Sequence, residues 1–180
     1  RPWRLLPLLM AMTAIGPVTL NIVVPALPGM VTRLGTDTAT VQLTLSLYLL
    51  SLACAQLLLG PLSDRFGRRP VVLAGLALSM LASLAAIAAS SIGALIAARI
   101  IQAAGASTGI VIGRAIIRDL YDRDRAAGMI GLVTTAMVIA PMVSPLMGAT
   151  LDENLGWRAI FAFCAILGLA SLALAWPNLP

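Results

Sequence analysis

The sequence predicts an all-α membrane protein, a bundle of six transmembrane helices, and two observations predict it. Hydrophobic residues make up 60% of the 180 and charged residues only 11%, with a mean hydropathy of +1.00. A soluble domain carries about 25% charged and 45–50% apolar residues. The few charges are also segregated: Leu5–Thr32, Thr38–Ser63, Pro70–Ala98, Ala126–Leu151 and Ala159–Pro180 contain no Asp, Glu, Lys or Arg. Roughly 20 apolar residues cross a bilayer core as helix, so each tract holds at least one span.

The first tract gives a span at 5–28, longer than a secretory signal core and without an A-x-A-type cleavage site. The second gives 41–62. From Pro70 to Gly113 there is a single charge, Arg99, in about twice the length of a span. Ser90-Ser91-Ile92-Gly93 is the natural turn inside it, which yields helices at 71–89 and 93–114. The last two tracts give 127–149 and 158–177. Spans one to three and four to six enter the membrane in opposite senses, as a 3+3 inverted repeat requires.

Arginine placement sets the orientation, because cytoplasmic loops are enriched in Lys and Arg. With the N-terminus inside, Arg1, Arg4, Arg65, Arg68, Arg69, Arg114, Arg118, Arg123 and Arg125 lie on the inner side. Only Arg33 and Arg158 lie outside. Both termini are therefore expected in the cytoplasm. The net charge of +5 sits beside spans, so it points to anionic lipid headgroups of the bilayer as partners and not to nucleic acid. Cys54 and Cys164 both fall in apolar tracts and are expected to pack as small hydrophobes. The chain has no histidine, which removes Ser–His chemistry and histidine-ligated zinc; no enzyme activity, cofactor or metal is expected.

Three segments carry the chemistry, and a fourth carries packing. Between spans two and three, Gly60-Pro61-Leu62-Ser63-Asp64-Arg65-Phe66-Gly67-Arg68-Arg69-Pro70 combines turn-forming glycines with one acid among three arginines. It reads either as an ion-paired latch on a cytoplasmic gate or as an ordinary positive loop. In the fourth span Arg99 precedes Gln102 and Gly105. An intramembrane arginine faces a cavity or a partner, or snorkels to the surface. Gly105, Gly109 and Gly113 continue that helix as a repeated G-x-x-x-G, a packing signal. In the fifth span Pro141, Pro145 and Gly148 fall at i, i+4 and i+7 and share one face. Either they only bend the helix or they serve a specific conformational role.

The loop segment resembles the signature G-x-L-x-D-R-x-G-R-R of the major facilitator superfamily at every fixed position, Gly60, Asp64, Arg65, Gly67, Arg68 and Arg69 included. The resemblance implies half of a major-facilitator fold, with the C-terminal half absent from this chain or replaced by a second copy. Arg99 with Gln102 and Gly105 is similar to the family's fourth-helix motif, whose arginine is associated with proton coupling. Pro141, Pro145 and Gly148 resemble the fifth-helix motif of antiporters, with Ala140 and Ala149 where glycines are usual. The runs Val24-Pro25-Ala26-Leu27-Pro28, Arg114-Ala115-Ile116-Ile117-Arg118-Asp119-Leu120-Tyr121 and Gly156-Trp157-Arg158-Ala159-Ile160-Phe161 look like the Bcr/CflA drug exporters of the bacterial inner membrane.

The resemblance thus implies a drug:proton antiporter whose partners are a small-molecule substrate and protons. A carrier of a small metabolite and a non-transporting half are the alternatives. One departure stands out: where that subgroup commonly has an acid four positions before the first proline of P-A-L-P, this chain has Asn21. No span carries an acid in its interior, Asp64 sitting only at the inner end of the second. Arginine does not titrate near neutrality, so either the titrating carboxylate lies in a missing second half, or Asp64 participates, or the coupling differs. Asn21 and Gln102 are then candidates to line a substrate cavity, and a helix–helix hydrogen bond is the other role open to Asn21.

Overall fold

The computed structural model describes residues 2–179, with side-chain surroundings for 5–179. Arg1, Pro180 and the side chain of Arg4, counted above toward orientation and chain end, lie outside the described residues. Seven α-helices follow in order: α1 (Pro2–Asn21), α2 (Leu27–Arg33), α3 (Thr38–Phe66), α4 (Arg68–Ala88), α5 (Ile92–Leu120), α6 (Arg123–Leu155) and α7 (Trp157–Asn178). A 3-10 turn over Val24–Ala26 joins α1 to α2. Counting α1 and α2 as one, six helices are long and apolar enough to cross a membrane.

Three boundaries differ from the sequence reading, each for a physical reason. The first span is not one helix over 5–28, because α1 stops at Asn21. Pro25 and Pro28 lack backbone donors, so the chain passes through the 3-10 turn before helix resumes. The segment from Arg114 to Leu120 is helical and extends α5, where a loop was expected. At the other side of that turn α6 begins at Arg123 and runs to Leu155, past both prolines. Charge ends the apolar tract but not the helix, since arginine and aspartate are compatible with helix once outside hydrocarbon.

The joints are short. Gly67 (φ +93) links α3 to α4 and Gly156 (φ +85) links α6 to α7, backbone conformations that side chains resist. Between α4 and α5 the Ser91 side chain caps Ala94 N–H at 3.2 Å. Asp37 caps α3 through Thr40 N–H at 2.8 Å, and these bonds hold its exposed carboxyl below the ordinary carboxylate range.

At the centre lies α5, packed against α1, α3 and α4, while α7 covers α4 and α6 runs along α1. With no hydrophobic drive between helices in lipid, close backbone approach does the holding. The α5 glycines supply it. A Cβ on Gly105 would meet the Gly75 carbonyl at 2.5 Å on α4, and one on Gly109 would strike the Met12 carbonyl on α1. One ridge therefore serves two neighbours, α4 at Gly105 and α1 at Gly109. Gly148 of α6 abuts the Ile22 carbonyl at the break after α1 in the same way.

The arginines cluster by end. Arg65, Arg68, Arg69, Arg118, Arg123 and Arg125 sit around the α3–α4 and α5–α6 turns. At the opposite end Arg33 pairs with Asp152 at 2.6 Å, and Arg158 donates to the Ile87 carbonyl at 3.0 Å, closing the last turn of α4.

Candidate functional site

Arg99 does not snorkel. It is wholly buried, although it projects from α5 well inside the span. Its Nη1 donates to the Thr19 carbonyl of α1 at 2.8 Å and to Gln102 Oε1 at 2.6 Å. The guanidinium lies over the Tyr48 ring of α3, 4.1 Å from the centroid. Tyr48 is fixed in turn: its hydroxyl donates to the Gly16 carbonyl at 3.1 Å and shares a hydrogen bond with the Thr19 hydroxyl. Gln102 Nε2 donates to Ser83 Oγ of α4 at 2.8 Å. Four helices thus meet in one network around the cation.

No carboxylate faces it among the described residues, and its Nε and Nη2 have no hydrogen-bond partner there. Burying a charge is costly unless it is paired. Here a π face, one carbonyl and one amide oxygen stand in for an anion, with the cation–π contact contributing about 2 kcal/mol when desolvated.

Beside this network, at mid-span, α1, α3, α5 and α6 leave an open hollow of about 370 Å³. Its wall includes Gly16, Asn21, Gln56, Arg114, Met137 and Pro141. Asn21 stands on this wall with its Nδ2 donating to the Pro17 carbonyl at 2.8 Å, a bond within its own helix and not between helices. Gln102, expected in the same cavity, is elsewhere: it is 1% exposed and bonded to Arg99 and Ser83. Three residues along α5 turn it about 60° toward α4 and away from the hollow.

In the sequence Arg114 reads only as one of the inner arginines and as the start of the run to Tyr121, not as a site residue. It is exposed on the hollow's wall, and its Nη2 lies 3.8 Å from Met137 Sδ. The extension of α5 to Leu120 puts it six residues inside the helix instead of at its end. A larger hollow of about 690 Å³ lies between α3, α4 and α5. Thr108 is its one polar liner, and that hydroxyl already donates to the Gly105 carbonyl at 2.7 Å, so nothing there orients a polar molecule.

At the arginine-rich end, Arg68 is the hub. It pairs with Asp64 at 2.6 Å and with Asp119 of α5 at 3.2 Å, and its Nη1 also reaches Ser63 Oγ. Arg69 donates to the Trp176 carbonyl of α7 at 2.9 Å. Arg65 stacks on Phe66, 5.3 Å from its centroid. Gly67 forms the joint, and Gly60 has open space around it. The acid that completes the cluster, Asp119, is distant in sequence and was not foreseen. In α6, Pro141 lines the hollow while Gly148 meets the α1 break, so Pro141, Pro145 and Gly148 lie along the side of α6 toward α1.

The Major Facilitator Superfamily model matches residues 9–180. A chloramphenicol resistance protein of Pseudomonas aeruginosa is 43% identical over 158 residues, which is 87% of this chain and 38% of that protein. Multidrug resistance protein D of Escherichia coli K12 is 38% identical over 164 residues, 91% of this chain and 42% of that protein. Among solved structures, the human organic anion transporter MFSD10 superimposes with a TM-score of 0.77 at 21% identity, covering 98% of this chain and 47% of that one. The chain spans about two-fifths of the length of these curated relatives.

Proposed function

The chain belongs to the Major Facilitator Superfamily, and from that membership we propose that it is one six-helix half of a proton-coupled exporter of drugs or other small molecules. The observation that carries the reading is the mid-span hollow walled by α1, α3, α5 and α6, polar at Asn21, Gln56 and Arg114 within an apolar bundle. Intramembrane polar groups that face a cavity mark a transport path. The resistance named in the relatives from Pseudomonas aeruginosa and Escherichia coli supports drugs as the cargo. The bacterial inner membrane is the proposed location, with both termini cytoplasmic.

Substrate binds in the hollow between this bundle and a second one, a C-terminal half or another copy, and the two rock about it. Arg99 supplies a fixed positive charge that biases the protonation of a carboxylate on the second bundle. Its contacts reach the hollow through α1: Thr19 and Gly16 hold Arg99 and Tyr48, and Gly16 and Asn21 also line the wall. Arg68 with Asp64 and Asp119 latches the cytoplasmic end, and Pro141, Pro145 and Gly148 fix how α6 moves against the α1 break. A carrier of a small metabolite is the second reading.

Drug-stimulated proton movement in liposomes tests the proposal, with chloramphenicol and ethidium as probes. Proton release driven by either drug supports export. A gene product that is folded, yet moves protons with neither drug but does so with a metabolite, would make it a metabolite carrier.

A further inference from the structure

We infer that Arg114 makes this cavity selective by charge, taking anionic or acceptor-rich neutral compounds and turning away permanent cations; the inference rests on the reading of the hollow as a substrate site. Four observations carry it. Among the described residues, Arg114 is the only charged one on the hollow's wall. It takes part in none of the salt bridges among the described residues, and its side-chain hydrogen bond there goes to the Met137 thioether, a weak acceptor. The other polar groups on the wall, Asn21 and Gln56, are neutral and add donors and acceptors but no compensating charge. The nearest acid along α5, Asp119, is about 140° further round the helix and is held by Arg68 at 3.2 Å.

An arginine so placed keeps donors free toward the hollow, and its planar fork binds carboxylate, nitro or carbonyl oxygens through charge-assisted hydrogen bonds. The same charge repels an ammonium or iminium ion entering the hollow. Arg99 does not share the task, because Tyr48 and Thr19 close over it.

Two xanthene dyes of like shape and opposite charge test this: fluorescein, an anion, and rhodamine 123, a cation. Binding to the full gene product in nanodiscs is read by fluorescence polarisation. Fluorescein is expected to bind more tightly than rhodamine 123, and Arg114→Gln to weaken it by about tenfold, the loss of one charge-assisted hydrogen bond. Arg114→Lys should retain most of the preference, and Arg114→Glu should invert it. Equal or tighter rhodamine binding that Arg114→Gln leaves unchanged overturns the selectivity while leaving the cavity as a substrate site. Binding of neither dye by monodisperse protein, together with no drug-driven proton movement, overturns the transport reading and the selectivity with it.

Discussion

Two arginines on one helix have opposite fates. Arg99 and Arg114 are fifteen residues apart on α5, about 22 Å in rise and only about 60° in rotation. Arg99 is fully buried and bonded to neutral partners, whereas Arg114 stands exposed at a hollow with the Met137 thioether as its hydrogen-bond partner. Helix position does not separate them; what lies in front does. At Arg99, α3 brings the Tyr48 ring across and α1 brings the Thr19 carbonyl. At Arg114, α1, α3 and α6 stand apart and leave space. A cation sealed without a counter-ion is a source of stored electrostatic free energy, and a cation facing a hollow is a means of selecting what enters.

Replacing the sealed cation gives the largest effect. Arg99→Met removes the unpaired charge and keeps most of the volume, so the unfolding temperature should change by only a few degrees, about 1 kcal/mol or less of stability. Proton-coupled transport should fall on the order of 100-fold, equivalent to about 2.7 kcal/mol. A collapse of the folded yield together with transport would make Arg99 a structural strut instead. Measurement of thermal unfolding and liposome transport on the same preparation separates the two.

Moving the seal comes next. Gly109 lies between the two arginines and presses on the Met12 carbonyl of α1. Gly109→Ala should push α5 from α1 at a cost of about 1–3 kcal/mol and loosen the contact of Thr19 with Arg99. Gly128→Ala, where a Cβ meets open space, should leave the unfolding temperature unchanged or slightly higher. Equal losses in both variants would show that α5 packing does not depend on that approach.

The end cluster should matter least to stability. Arg68 is 28% exposed and Asp119 54%, so Asp119→Asn should cost well under 1 kcal/mol in thermal unfolding. An effect larger than that of Gly109→Ala would mean that the loop, not the α1–α5 seam, holds the bundle.

Much of this fold was legible in the sequence, because the solvent sets it: uncharged tracts longer than a bilayer core leave helices as the only option. The helix ends were less so. Hydropathy placed the border of the fourth span at Arg114, but backbone hydrogen bonding carries α5 on to Leu120. Arg99 could be picked out as an intramembrane charge, yet its partners Tyr48 and Thr19, and the Ser83 that holds Gln102 beside it, come from three other helices, and no local pattern encodes them. Gln102 was placed in the cavity for its polarity alone, and its neighbour Ser83 is what turns it inward. Asp119 escaped notice because its partner Arg68 is 51 residues away.

The contrast between the two arginines is tested most directly by chemical modification. Phenylglyoxal is neutral, enters membranes and reacts with exposed guanidinium groups, and mass spectrometry of the digested protein gives the rate at each site. Arg114 should react at a rate near that of the end arginines Arg65 and Arg118, while Arg99 should react on the order of 100-fold more slowly, since opening its seal requires local unfolding. Comparable rates at Arg99 and Arg114 would contradict the account, because they would place the buried cation in contact with the hollow.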